Sequence, residues 1–126
     1  MLRTALLPLA VGFLFLLPES APAAGPPFLS ASPTPVHVGG TLVIKGRQWP
    51  VIEFCNRRVR LSLRSDQNEV VIGFKRIRDN GRFRRDFVVN GVGPGRWRVF
   101  ARLRCESGED GSANFIRRRV PIRILP

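Results

Sequence analysis

An all-β fold, an antiparallel β-sandwich of about seven strands, is what this sequence predicts, and three features of its patterning agree on it. From Pro35 onward apolar and polar residues alternate, as in GRWRVFARLRC at 95 to 105, where Trp97, Val99, Ala101 and Leu103 interleave with arginines. A period of two sends successive side chains to opposite faces of a strand, one dry and one wet. Turn signals punctuate the runs about every ten residues, and no window keeps a helical apolar period for three turns.

Each run has its own signal. PVHV at 35 to 38 leads through Gly39 and Gly40 into TLVIKG at 41 to 46. RRVRLSLR at 57 to 64 sets Val59, Leu61 and Leu63 against Arg58, Arg60 and Arg64. EVVIGFKRI at 69 to 77 is apolar on both parities in its first half, which suits a well-covered strand or one with a bulge at Gly73. DNG at 79 to 81 is the strongest turn signal, because Asn-Gly accepts the positive φ of tight hairpins, and it should reverse the chain into RFRRDFVV at 82 to 89. NGVGPG at 90 to 95 and SGEDGS at 107 to 112 bracket the 95 to 105 strand. The last run, NFIRRRVPIRI at 114 to 124, puts Val120, Ile122 and Ile124 on one face and Arg119, Pro121 and Arg123 on the other. Pro121 points to a sheet edge, where a missing N–H costs little. Arg118 shares the parity of the apolar residues and fits only if a bulge precedes Val120.

The first 23 residues carry Arg3, an apolar stretch from Ala5 to Leu17, a Pro18 breaker and APA at 21 to 23, the layout of a secretory signal peptide cleaved after Ala23. The stretch is too short for a membrane span, which needs about 20 apolar residues, and Pro8 and Gly12 interrupt it. The expected product is a secreted or periplasmic protein with no transmembrane segment after cleavage. Residues 24 to 34, AGPPFLSASPT, read as an extended leader, and residues 35 to 126 as one domain. Cleavage removes one base, Arg3, and one acid, Glu19, so the net charge of +12 is kept. Cys55 and Cys105 are the only cysteines, and a pair in an exported chain usually joins. A zinc site is the rival reading, but two distant thiols and a single histidine, His37, do not supply four ligands.

PTPVHVGGTLVIKGRQWP, DNGRFRRDF and above all PGRWRVFARLRC resemble secreted bacterial immunoglobulin-like domains over roughly residues 33 to 125. In such domains a proline-led first strand, a Gly-Gly-Thr entry to the second and a Pro-Gly turn before a strand ending in cysteine recur. The resemblance implies architecture and no catalytic signature. It also implies that the cysteine before the third strand, Cys55, bonds the one ending the later strand, Cys105. The chain has no tyrosine for a tyrosine corner, and Leu103 stands two residues before the second cysteine. The expected architecture is two layers clamped by that one bridge.

Catalysis finds few parts. His37 has no nucleophile beside it and reads as a structural or surface histidine. Glu106, Glu109 and Asp110 gather in one turn, but their spacing matches no calcium loop, so they read as solvated, as do Asp66 and Glu69. No enzyme, metal or cofactor is expected. The arginines are the residue class to weigh, since all but Lys45 and Lys75 of the 21 basic residues are arginine. If 57 to 64, 96 to 105 and 117 to 124 share a sheet, Arg58, Arg60, Arg64, Arg96, Arg98, Arg102, Arg104, Arg117, Arg119 and Arg123 share its outward face, with Phe100 among them as a flat stacking surface. Such a face suits an acidic polymer or acidic protein of the cell envelope, because guanidinium makes forked bonds to phosphate and carboxylate. Codon composition, or stems that cover a sheet while their heads stay in water, would give the same pattern without a ligand. An adhesion or assembly module using loops or an edge strand is the second function class, and a small-ligand protein or enzyme the third. Nucleic acid is not the expected partner, since export removes the protein from most of it.

Overall fold

The alternating runs become strands in the computed structural model, which describes residues 25–106 and 111–126 and holds no helix among them. In chain order these are β1 (Phe28–Ser32), β2 (Val36–His37), β3 (Thr41–Arg47), β4 (Arg58–Arg64), β5 (Glu69–Arg76), β6 (Phe83–Val88), β7 (Gly95–Glu106) and β8 (Ala113–Leu125). Sheet A has the order β1-β3-β6 and sheet B the order β2-β8-β7-β4-β5. Pairing is antiparallel throughout, except that β2 runs parallel to the end of β8. Sheet B is curled into a half-barrel, and its strands β8 and β5 come up against β1 and β6 of sheet A.

One apolar core lies between the layers. Leu42 and Ile44 of sheet A meet Val59, Leu61 and Leu63 of β4, Val99, Ala101 and Leu103 of β7, and Ile122 and Ile124 of β8, all buried. Each comes from one parity of its strand, which is why the alternation was readable. Burying a Leu or Ile side chain stabilises by about 1.5–3 kcal/mol. The tryptophans close the two ends with their N–H groups satisfied: Trp49 donates to Phe28 O at 2.9 Å and packs edge-on against Phe83, and Trp97 donates to Gly93 O at 2.9 Å.

Several expectations change. Part of the 24 to 34 leader is β1, paired along its length with β3, so the fold starts before Pro35 and has eight strands among the described residues. The 78 to 82 turn forms, with Gly81 N–H donating to Arg78 O at 2.8 Å and Gly81 at φ 81°. It does not close a hairpin, because β5 stays in sheet B while β6 crosses to sheet A. Turn chemistry fixed the reversal and left the choice of sheet open. In β5 the bulge reading describes the chain: Leu61 faces Gly73 and Ser62 faces Val71, leaving Ile72 extra, and Gly73 has φ 130°.

Cys55 and Cys105 are joined. The bond does not clamp the two layers. Cys55 bridges antiparallel to Cys105 at the end of β7, flanked by Asn56 N–H to Arg104 O and Glu106 N–H to Phe54 O, so it staples the loop before β4 to a strand beside it. A disulfide here fits an oxidising, extracytoplasmic compartment. No helix among the described residues is long and apolar enough to cross a membrane. The segment assigned to the signal peptide, residues 1–23, lies outside the described residues, as do Glu109 and Asp110.

β8 keeps unbroken register with β7 from Gly95↔Ile124 to Glu106↔Ala113, so no bulge precedes Val120 and Arg118 stays on the core-side parity. Its place is the seam between the sheets. Arg118 Nε donates to Pro27 O at 3.0 Å, just before β1, and Nη1 donates to Arg117 O at 2.7 Å. The opposite seam has a counterpart, where Arg85 Nη2 of β6 donates to Ile72 O of β5 at 3.3 Å. At both seams a long stem covers apolar surface while its head satisfies a carbonyl. Arg123 N–H donates away from β7 to Thr34 Oγ1 at 3.0 Å, so Pro121, two residues back, lacks an N–H only on the outer edge of β8.

Candidate functional site

The register of sheet B sets the arginines in rows. Arg60 faces Arg102 across β4 and β7, and Arg102 faces Arg117 across β7 and β8. Arg64 faces Arg98, and Arg96 faces Arg123. Phe100 sits between Ser62 and Arg119. Arg58 and Arg104 continue the same outward parity on β4 and β7, so all ten sequence-selected arginines lie on the outer face of one sheet. β5 adds Arg76 opposite Arg58 and Phe74 opposite Arg60. Like charges placed directly opposite destabilise a sheet, by a few tenths of a kcal/mol or more per pair.

Neutralisation is partial. Glu69 takes Arg64 Nε at 3.0 Å and Arg60 Nη1 at 3.5 Å; Asp66 lies 3.9 Å from Arg98, and Glu106 3.8 Å from Arg104. The hydrogen bond from Arg64, with the Arg64 and Arg60 charges behind it, holds the Glu69 carboxyl below its ordinary range against the opposing effect of desolvation. Arg58, Arg96, Arg102, Arg117, Arg119 and Arg123 have no carboxylate partner among the described residues. The Nε of Arg98 is buried and makes no hydrogen bond among them.

Aromatic rings carry part of this charge. The Arg64 guanidinium lies 4.2 Å from the centroid of Phe100, and Arg102 and Arg117 lie 4.8 and 5.3 Å from that of Phe115. Phe100 is therefore a platform already occupied on one side by the protein's own arginine. Phe115, with the parity of Arg117 and Arg119, is a second platform that the same alternation would have found. Phe74, 56% exposed, offers an open ring beside the Arg60 row. Asp66 is solvated as expected, with its side chain 98% exposed, whereas Glu69 is a close ion-pair partner; the pairing of Arg64 with Glu69 across the β4–β5 turn is visible only once the hairpin is known.

The rows end in an open depression of about 690 Å³ on this face, lined by Arg64, Arg96, Arg98, Arg123, Thr34 and Asp66 among others. Four guanidinium groups against one carboxylate, with hydroxyl donors at the rim, are equipped to bind an anionic group reversibly. His37 lies elsewhere, at the chain end, with Nδ1 3.2 Å from Pro126 O. No family model, characterised protein or solved structure matches the chain.

Proposed function

We propose that the protein is an exported, non-catalytic binding module whose sheet B outer face holds an acidic polymer, or an acidic protein, of the cell envelope. The observation that carries this reading is the set of arginines facing one another across β4, β7 and β8, most of them without a carboxylate among the described residues. That arrangement costs stability in the free protein, and an anionic chain laid along the rows offsets the cost while forked guanidinium bonds supply grip. We read the architecture as immunoglobulin-like, supported by the order β1-β3-β6 facing β8-β7-β4-β5, which parallels A-B-E facing G-F-C-C′. The test is retention on immobilised heparin over a salt series. Steep salt dependence is expected, with Arg98→Glu/Arg102→Glu eluting at much lower salt and with a flatter slope. Elution that ignores salt, or is unmoved by the double reversal, rejects the reading.

One observation favours an assembly role as a second reading. β2 pairs with only the last two residues of β8's outer edge, so the stretch from Phe115 to Pro121 has no ladder partner there among the described residues, and a protein partner adding a strand would take the place of β1, which packs beside it. Arg119→Pro, which removes an outward N–H, should block such a partner, whereas Arg119→Ala, which removes the same charge and keeps that N–H, should not; the two variants should elute alike from heparin. A partner that binds the proline variant equally well removes this reading.

A further inference from the structure

A second cluster of cations lies on the other side of the molecule, assembled from β1, β3, β6 and the 78 to 82 turn. On the outer face of sheet A, an open groove of about 580 Å³ runs between β1 and the 78 to 82 turn and is lined by Phe28, Lys45, Arg47, Arg78, Arg82 and Arg84 among others, none of them acidic. Only Arg84 has a carboxylate partner among the described residues, Asp86 at 3.0 Å. Arg47 is stacked over Phe28 at 4.5 Å, and Lys45 faces Arg84 across β3 and β6.

The walls of this groove are fixed. One is the start of β1, held where Trp49 Nε1 donates to Phe28 O at 2.9 Å. The other is the turn, closed by Arg78 N–H to Arg82 O at 2.8 Å and by Arg82 N–H to Asn80 Oδ1 at 3.0 Å. Trp49 N–H donates to Gly81 O at 3.1 Å, so the same buried tryptophan anchors both walls. A Cβ at Gly81 would lie 2.8 Å from Trp49 O, which requires glycine for this close approach. Cations carried on pre-positioned backbone lose less freedom when they close on an anion.

We propose that this groove is a second anion site, and that each molecule therefore holds two polyanion segments on opposite sides and cross-links them. The sheets share one core, so their outer faces point away from each other and a single short chain does not reach both. Lys45, Arg47, Arg78 and Arg82, without a carboxylate partner among the described residues and beside a flat ring, suit sulfate, phosphate or carboxylate groups spaced along a polymer. The cross-linking half of the proposal rests on the sheet B reading above; the sheet A site does not.

The test uses two probes: a heparin tetrasaccharide counted by titration calorimetry, and long-chain dextran sulfate followed by light scattering. The wild type should bind two equivalents of the short probe and raise the scattering of the long one. Arg78→Glu/Arg82→Glu should bind one equivalent, lose at least tenfold of the scattering and still be retained on heparin. Arg78→Gln/Arg82→Gln repeats the test without charge reversal, and far-ultraviolet circular dichroism confirms that each variant is folded. A wild-type count of one that disappears only in Arg98→Glu/Arg102→Glu overturns the second site. A count of one that disappears only in Arg78→Glu/Arg82→Glu upholds the sheet A site and overturns both the sheet B reading and cross-linking.

Discussion

Arg117 and Arg118 are neighbours on β8 with identical side chains and opposite surroundings. Arg117 lies on the outer face, opposite Arg102 and beside the Phe115 ring, with no carboxylate among the described residues. Arg118 turns to the core side, reaches the seam and gives its donors to two backbone carbonyls. Arg85 also reaches a seam, where it gives one donor to Ile72 O while its buried Nε makes no hydrogen bond among the described residues, and Arg96 and Arg123 repeat the first situation. The contrast separates two uses of one residue: at a seam the guanidinium completes hydrogen bonding the fold needs, while on the face it is held against like charge and stays available. Stability and anion binding should therefore respond to different arginines.

The staple sets the scale for stability. Opening the Cys55–Cys105 bond by Cys105→Ala, which releases a loop of separation 50, should lower unfolding free energy by about 4 kcal/mol on the chain-entropy model. Urea titration measures it; a shift under about 1 kcal/mol would mean that the ladder holds the loop without the bond. Arg118→Ala comes next, with an expected loss of about 1–2 kcal/mol because two carbonyls lose a charged donor. Its heparin retention should barely move, and a large loss of retention would erase the division between seam and face. Arg123→Gln should act with the opposite sign, raising stability by a few tenths of a kcal/mol through relief of the Arg96 pairing while weakening retention. A destabilisation comparable to that of Arg118→Ala would show that the face arginines also hold the fold.

The smallest effect is the response to pH. Glu69 and Asp79 are held below the ordinary carboxylate range, chiefly by hydrogen bonds from Arg64 and Arg57. A carboxyl lowered in the folded state contributes stability that is whole at neutral pH and is lost as pH falls from the ordinary range through the lowered value. A slight fall of the melting temperature is expected in that acidic window and none above it. Over the same window protonation of Glu69 frees Arg60 and Arg64, so retention on a sulfated matrix should strengthen; unchanged retention would mean these two arginines do not reach the ligand.

Much of this arrangement is legible without coordinates, for a physical reason. Alternation is a property of one strand, so the outward parity of Arg58, Arg96 or Arg119 follows from the residues beside it. What depends on neighbours in space is hidden. β1 is short and lies in a proline-rich stretch whose composition resembles a leader, and only pairing with β3 makes it a strand. The turn at Gly81 announces a reversal, but which sheet receives β6 is decided by where Phe83 buries. Two cysteines identify their own pairing, yet the position of Cys55 beside β7 follows from register. Arg118 looked like an error of phase because the seam that receives it is made by two distant segments.

Arginine-selective labelling with phenylglyoxal, mapped by mass spectrometry with and without a saturating heparin tetrasaccharide, tests the central claim most directly. Protection is expected at Arg96, Arg102, Arg117, Arg119 and Arg123, and in the sheet A groove at Arg47, Arg78 and Arg82, with the rates of the seam residues Arg85 and Arg118 unchanged. Protection spread evenly along the chain, or absent from the sheet B face, would contradict it.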